Sequence, residues 1–200
     1  MDRSTLRAYD QNAASFAEDW ESQPSPDDIY DIVRRFFRKG PTADIGCGSG
    51  RDTAWLAQNG FAATGYDASE GLLVEARRLH PDIQFHHAAL PELSGIAEAS
   101  FANVFCETVI MHLPPDAIAV SVARLMAILK PEGTLYLSWR VTEGHDRRDD
   151  RGRLYAAFDA DLVLRGLRAS KILLDEQRVS ISSGKTVRRL VARKVAAVRT

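Results

Sequence analysis

Cysteine is scarce in this 200-residue chain: Cys47 and Cys106 are the only two, and no C-x-x-C pair occurs. A disulfide framework or a cysteine-rich zinc site is therefore not expected, and a reducing, cytoplasmic setting fits. A charge excess is also missing. Lys and Arg number 26 against 27 Asp and Glu, for a net charge of -1, so the basic surplus of a nucleic-acid binder is absent. No apolar run is long enough to span a bilayer. The opening MDRSTLRAYDQN has charge and no apolar segment, so no signal peptide is expected. Internal repeats and low-complexity linkers are lacking too. Neither a membrane nor a nucleic acid is an expected partner, and oligomeric state is left open.

Hydrophobic residues make up 45% and charged residues 26%, an ordinary balance for one α/β domain with a substantial core. The most informative stretch is ADIGCGSGRDT, residues 43 to 53. Ala43 and Ile45 follow Pro41 and Thr42 as a buried strand would. Gly46, Gly48 and Gly50 then fall at every second position, where the chain can take φ > 0 and a ligand can lie against the backbone. Arg51 to Ala57 continues as a helix whose free N–H groups point back at that ligand. Asp44 puts a carboxylate at the strand tip, where a purely structural strand has little use for one.

This stretch resembles motif I of the class I S-adenosylmethionine-dependent methyltransferases, an acidic residue followed after one position by G-x-G-x-G. It fits the dinucleotide pattern G-x-G-x-x-G less well, because the third glycine comes one residue early. The resemblance covers about residues 35 to 195. It implies a three-layer Rossmann-like fold with a mostly parallel seven-stranded sheet, order 3-2-1-4-5-7-6, and an antiparallel last strand. A helical cap over 1–38 would precede a core over 39–200. The implied reaction is methyl transfer from S-adenosylmethionine to a small-molecule acceptor, with S-adenosylhomocysteine as product. The alternative is a non-catalytic S-adenosylmethionine-binding module.

Several residues acquire expected roles. Asp44, Gly46, Cys47, Gly48, Gly50 and Arg51 form the turn; Arg51 either pairs with the methionine carboxylate or is an exposed first-turn residue. Asp67 lies 21 positions after Gly46, at the end of a second strand, and its two oxygens can accept from the two ribose hydroxyls; capping the next helix is its other reading, which Ser69 can fill alone. Ala68 follows it. Where many relatives carry an acidic adenine contact, Ala88 or Ala89 stands here, so backbone of the loop to Leu90 would read that edge. His86 and His87 point to opposite strand faces, so no metal is expected. Glu107, at the tip of the fourth strand, and His112 are candidate general bases, Glu107 also a cofactor contact. No Asn-Pro-Pro-Tyr-like tetrad follows that strand, which argues against amino methylation of nucleic acids.

Outside these motifs the spacing predicts one helix over 3–20, with Leu6, Tyr9, Ala13, Phe16 and Trp20 on its apolar face and Tyr9 as a lid residue. A second helix starts at Asp27 or Asp28. ILKPEGTLYLSWR resembles the family's Leu-Lys-Pro-Gly-Gly turn with Glu132 in place of a glycine. Trp139 and Arg140 end the fifth strand, where they line the acceptor pocket or fill the core. The mixed-charge run HDRRDDRGR, 145–153, reads as a solvated loop or, since it sits where the resembled family's substrate loops lie, as a segment ordered over an anionic acceptor, and a closing hairpin turns around Ser183-Gly184.

Overall fold

The computed structural model describes residues 1–168 and 170–196. Three helices come first: α1 (Arg3–Gln11), α2 (Ala13–Glu21) and α3 (Asp27–Phe36). The core alternates β1 (Pro41–Ile45), α4 (Arg51–Gln58), β2 (Ala62–Asp67), α5 (Glu70–Leu79), β3 (Gln84–His87) and β4 (Phe101–Cys106). A short 3-10 turn at Ile110–His112 leads to α6 (Pro115–Ile128) and β5 (Leu129–Arg140). A small pair, β6 (Arg147–Arg148) and β7 (Leu154–Tyr155), precedes α7 (Asp161–Gly166), β8 (Ser170–Val179) and β9 (Thr186–Lys194).

The main sheet has seven strands in the order β3-β2-β1-β4-β5-β9-β8. Its first five strands are parallel, and β9 runs antiparallel to both β5 and β8. With β6 and β7 set aside, this is the expected 3-2-1-4-5-7-6. Strand alternation makes the layers. Val104, Leu135, Leu137 and Trp139 face one side and pack on Ile118, Val122 and Leu125 of α6. Phe105, Tyr136 and Val191 face the other and meet Ile29 and Val33 of α3 and Leu56 of α4. The strands' carboxyl ends are left as one edge, where open α/β sheets bind ligands.

Three sequence expectations change. The single helix over 3–20 is two, because Asn12 leaves helical backbone and its side-chain amide donates to the Ala8 carbonyl at 2.9 Å, a local bond that competes with helix continuation. Thr5 and Ala8 are buried on α1 while Leu6 is only partly so. The run 145–153 is not a plain solvated loop: it supplies β6 and the turn into β7, and Arg148 grips the Asp2 carboxylate with two bonds of 2.9 and 3.0 Å. The Lys130–Gly133 turn is a wide bulge within β5, since Phe101 pairs with Leu129 and Asn103 with Thr134. Glu132, in the place of a glycine, takes a φ of 63°.

Asn103 joins the helical front to the sheet. It is fully buried; its amide donates to the Arg38 carbonyl (2.7 Å) and the Thr42 hydroxyl (2.9 Å), and its oxygen accepts from the Arg38 N–H (3.2 Å). Asn103→Ala leaves three partners unsatisfied and should cost about 2 kcal/mol, measured by urea unfolding, with the folded circular-dichroism spectrum unchanged.

Candidate active site

A cavity of about 410 Å³ opens at the carboxyl edge of the sheet. Its floor is the turn after β1. Gly46, Gly48 and Gly50 have φ of 78°, 55° and 86°, the left-handed region that side chains avoid. Gly46 and Cys47 donate to the Tyr66 carbonyl at 2.7 and 3.1 Å, which binds the turn to the end of β2. The Ser49 hydroxyl is buried on this wall with no hydrogen-bond partner among the described residues. The Cys47 thiol turns away into a cluster with Leu73, Ala76 and Phe85, and burial pushes its pKa up, so it is not a nucleophile.

Three carboxylates surround the turn. Asp44 ends its strand fully buried and accepts from the Thr53 hydroxyl at 2.6 Å. Burial, aided by repulsion from Asp52, raises its pKa well above the usual range. Glu107 accepts from the Tyr136 hydroxyl at 2.7 Å and from the Ser138 hydroxyl, both on the same oxygen. Burial raises its pKa as well, against those two bonds. Its neighbour Thr108 has a φ of 54°, unusual for a β-branched residue and typical of functional sites. Asp67 accepts from Gly48 N–H at 2.9 Å with one oxygen and from Ser69 N–H at 2.8 Å with the other. Its pKa is raised by burial, which outweighs these bonds. The helix cap itself falls to Ser69, whose hydroxyl accepts from Leu72 N–H. The site thus concentrates carboxylates whose charged form burial disfavours and a cationic partner would favour.

Above the turn lies an aromatic roof. Tyr9, Phe16 and Trp20 contact one another with centroids 5.0 to 6.1 Å apart. Trp20 rests on Gly48: a Cβ there would come within 2.7 Å of the indole. The carboxylate of Asp10 ties α1 to the start of α5, accepting from Ser69 Oγ at 2.6 Å and Gly71 N–H at 3.2 Å. The strand pair β6–β7 closes the far side. Arg153 is held by Asp149 at 2.7 Å and lies over Phe16, Tyr9 and Tyr155 at 4.6, 5.4 and 5.7 Å.

His112 hangs from this roof. Its Nδ1 meets the Leu154 carbonyl at 2.5 Å, and a carbonyl only accepts, so Nδ1 carries the proton. Nε2 therefore accepts from the Tyr9 hydroxyl at 2.9 Å. Burial lowers the His112 pKa to about 4, which makes it a neutral, fully bonded imidazole and a poor general base near pH 7.

Of the residues singled out from sequence, Tyr9, Trp20, Asp44, Gly46, Cys47, Arg51, Glu107, His112 and Arg140 line the cavity, whereas Gly48 and Gly50 are buried behind it. Asp67, Ala68, Ala88 and Leu90 are buried away from it, and Ala89 is half-buried; the roof of α1 and α2 covers that half. Arg51 donates to the Trp20 carbonyl at 3.1 Å and sits 3.3 Å from Asp52, so its guanidinium is already engaged. His86 lies tilted against Tyr66 with ring centroids 5.7 Å apart, and His87 Nε2 lies 3.1 Å from the Ala68 carbonyl. Among the described residues no cluster of three or more His, Cys, Asp or Glu is arranged to hold a metal. Arg153, Tyr155 and Met111 were not anticipated; only the density of arginine beside Tyr155 hinted at them.

A glycine turn at the switch-point edge of a 3-2-1-4-5-7-6 sheet, ringed by carboxylates, defines the class I S-adenosylmethionine-dependent methyltransferase architecture. Residues 43–133 match the methyltransferase-domain family. Over 109 residues it is 30% identical to a putative methyltransferase of Geobacillus sp. (strain WCH70), covering 52% of this chain and 44% of that protein. Over 121 residues it is 33% identical to trans-aconitate 2-methyltransferase of Sinorhizobium medicae, covering 59% and 44%. The chain spans about half the length of the curated relatives it matches. Among solved structures it is similar to Burkholderia thailandensis 1,6-didemethyltoxoflavin-N1-methyltransferase with bound 1,6-didemethyltoxoflavin and S-adenosylhomocysteine, with TM-score 0.74, 23% identity and coverage of 96% and 88%. Among the described residues no helix is long and apolar enough to cross a membrane.

The neutral His112 has a consequence for stability. Below pH 6.5 the unfolded imidazole takes up a proton that the folded one refuses until about pH 4. The His112 contribution is therefore complete above pH 6.5 and declines as pH falls towards 4, by about 3 kcal/mol. Relative to His112→Gln, the wild type should lose stability across that window and stay parallel above it, measured by urea unfolding at stepped pH.

Proposed function

We propose that this chain binds S-adenosylmethionine over the turn from Gly46 to Gly50 and transfers its methyl group to a small molecule in the cavity beneath the roof. One observation carries the reading: three carboxylates, Asp44, Asp67 and Glu107, converge on a left-handed glycine turn that only the Trp20 side chain covers at Gly48. When bound, S-adenosylmethionine supplies a methyl carbon already made electrophilic by its sulfonium.

The chain's own residues then have separable tasks. Asp44 faces the ammonium of the amino-acid end, supported by Glu107, and the unpartnered Ser49 hydroxyl serves the same end. Asp67 keeps lone pairs free on both oxygens after its two backbone bonds, enough to receive the ribose diol. The first-turn N–H groups of α4 add their partial positive charge. Met111 and the Tyr9–His112 pair form the wall against which an acceptor is aligned, and alignment is the main service such a displacement needs. Trp20 must leave Gly48 for adenosine to reach Asp67, so α2 belongs to the binding step. The cavity beside Glu107 and His112 favours an enzyme over a purely binding module.

Calorimetry with S-adenosylmethionine, S-adenosylhomocysteine and NAD tests this directly. The first two should bind and NAD should not; NAD binding alone would overturn the reading. Asp67→Ala should weaken S-adenosylhomocysteine at least tenfold while the protein stays folded. Because a cation draws the raised pKa values of Asp44 and Glu107 back down, binding should release protons above their ordinary carboxylate range. Titrations in buffers of different ionisation enthalpy would show that release, and Asp44→Asn should reduce it.

A further inference from the structure

We infer that the acceptor is a carboxylic acid, bound and methylated as its carboxylate, and that Arg140 is the residue that selects it; this rests on the methyl-transfer reading above. The first observation is how charge is sorted along the sheet edge. Asp44, Asp52 and Glu107 stand on or beside β1 and β4, whereas Arg140 ends β5 and Lys185 lies on the turn before β9. As β1 and β4 are neighbours and β5 and β9 continue outward, the cavity is acidic at one end and cationic at the other. The acidic end suits the cationic cofactor, and the cationic end suits an anion.

The second observation is the state of Arg140. It lines both the 410 Å³ cavity and a second one of about 490 Å³ bounded by Arg147, Glu143 and Thr186. The roof arginines are neutralised, Arg148 by Asp2 at 2.9 Å and Arg153 by Asp149 at 2.7 Å. Among the described residues no carboxylate stands within 4.0 Å of Arg140. Its guanidinium lies 4.8 Å over the Tyr155 ring, and its backbone N–H points to Met111 Sδ at 3.2 Å. The guanidinium thus rests against an aromatic side chain and, among the described residues, carries no ion pair. A planar, unpaired guanidinium of this kind matches a carboxylate in two-point contact.

The third observation concerns protons. A hydroxyl or amine acceptor gives up a proton that some base must take. Here both nitrogens of His112 are committed, and Glu107 accepts two hydroxyls on one oxygen, which leaves its other oxygen as the single uncommitted acceptor of that pair of residues. A carboxylate needs no base. One of its oxygens forms the bond to the methyl carbon as the carbon–sulfur bond breaks and the electron pair returns to sulfur. Its negative charge and the sulfonium's positive charge cancel, leaving a neutral methyl ester and S-adenosylhomocysteine.

The test uses the full chain saturated with S-adenosylhomocysteine, titrated calorimetrically with fumarate, citrate and benzoate and with the amide of each. At least one acid should bind, its amide at least tenfold more weakly. Arg140→Met should lower the affinity for that acid at least tenfold, and Arg140→Lys should retain part of it, because charged hydrogen bonds of this type contribute strongly to recognition. Affinity for S-adenosylhomocysteine should be unchanged in both variants. With methyl-labelled S-adenosylmethionine and the acid that binds, the label should be released by mild base as methanol. Equal binding of acids and amides, full acid affinity in Arg140→Met, or base-stable label would overturn the inference while leaving cofactor binding intact. Failure of the wild type to bind S-adenosylhomocysteine would instead overturn the reading beneath it.

Discussion

The carboxylate of Asp67 is the joint on which the glycine turn and its helical roof depend. One oxygen holds the Gly48 N–H and the other holds the Ser69 N–H. The first fixes the glycine turn after β1; the second fixes the entry to α5. Because Ser69 also bonds Asp10 of α1, the same few atoms reach the roof. A buried carboxylate is expensive to desolvate and is tolerated when N–H donors surround it. Here the donors are backbone groups of the turn and of the entry to α5, which offset part of the burial that raises the Asp67 pKa.

The roof is held by a different logic, mainly through arginine. Arg148 clasps the residue that caps α1, Arg151 lies 4.4 Å over Phe16, and Arg153 spans the three aromatic rings between Asp149 and Tyr9. Leu154 N–H closes the seam on the buried Thr5 hydroxyl at 2.8 Å. These links join segments almost 150 positions apart in the chain. They leave α1, α2 and the β6–β7 pair behaving as one cover over a cavity whose walls differ in charge. Each link is modest alone, and exposed ion pairs in particular contribute little; several acting on one short segment give it a defined position.

Much of this was legible in the sequence. The glycine spacing, the strand-tip Asp44, the position of Asp67 and the hairpin at Ser183-Gly184 each carry a local physical signature, and the sheet order followed from the family they resemble. Glu107 and His112 do face the cavity. The closing of the roof was not legible. Residues 145–153 look like any solvated charged loop, because nothing local distinguishes a charge facing water from one facing Asp2 or Tyr9. The break at Asn12 was hidden for a related reason: helical periodicity persists across it, so Tyr9, Phe16 and Trp20 still converge. The neutral state of His112 depends on a carbonyl 42 positions away, which no spacing rule encodes. Thr108, in left-handed backbone, shows nothing in sequence that marks it as strained.

The seating of Trp20 on Gly48 gives the molecule an internal optical reporter. The chain has three tryptophans. Trp55 is stacked on Tyr30 at 3.9 Å, and Trp139 is buried against Phe158; both sit in packed surroundings away from the turn. Trp20 alone of the three lines the cavity and covers the glycine turn, with Phe16 stacked on it at 5.6 Å. A change in intrinsic fluorescence on ligand entry would therefore come chiefly from one indole. The opening of the roof can then be timed in the unlabelled native chain, separately from whatever chemistry follows.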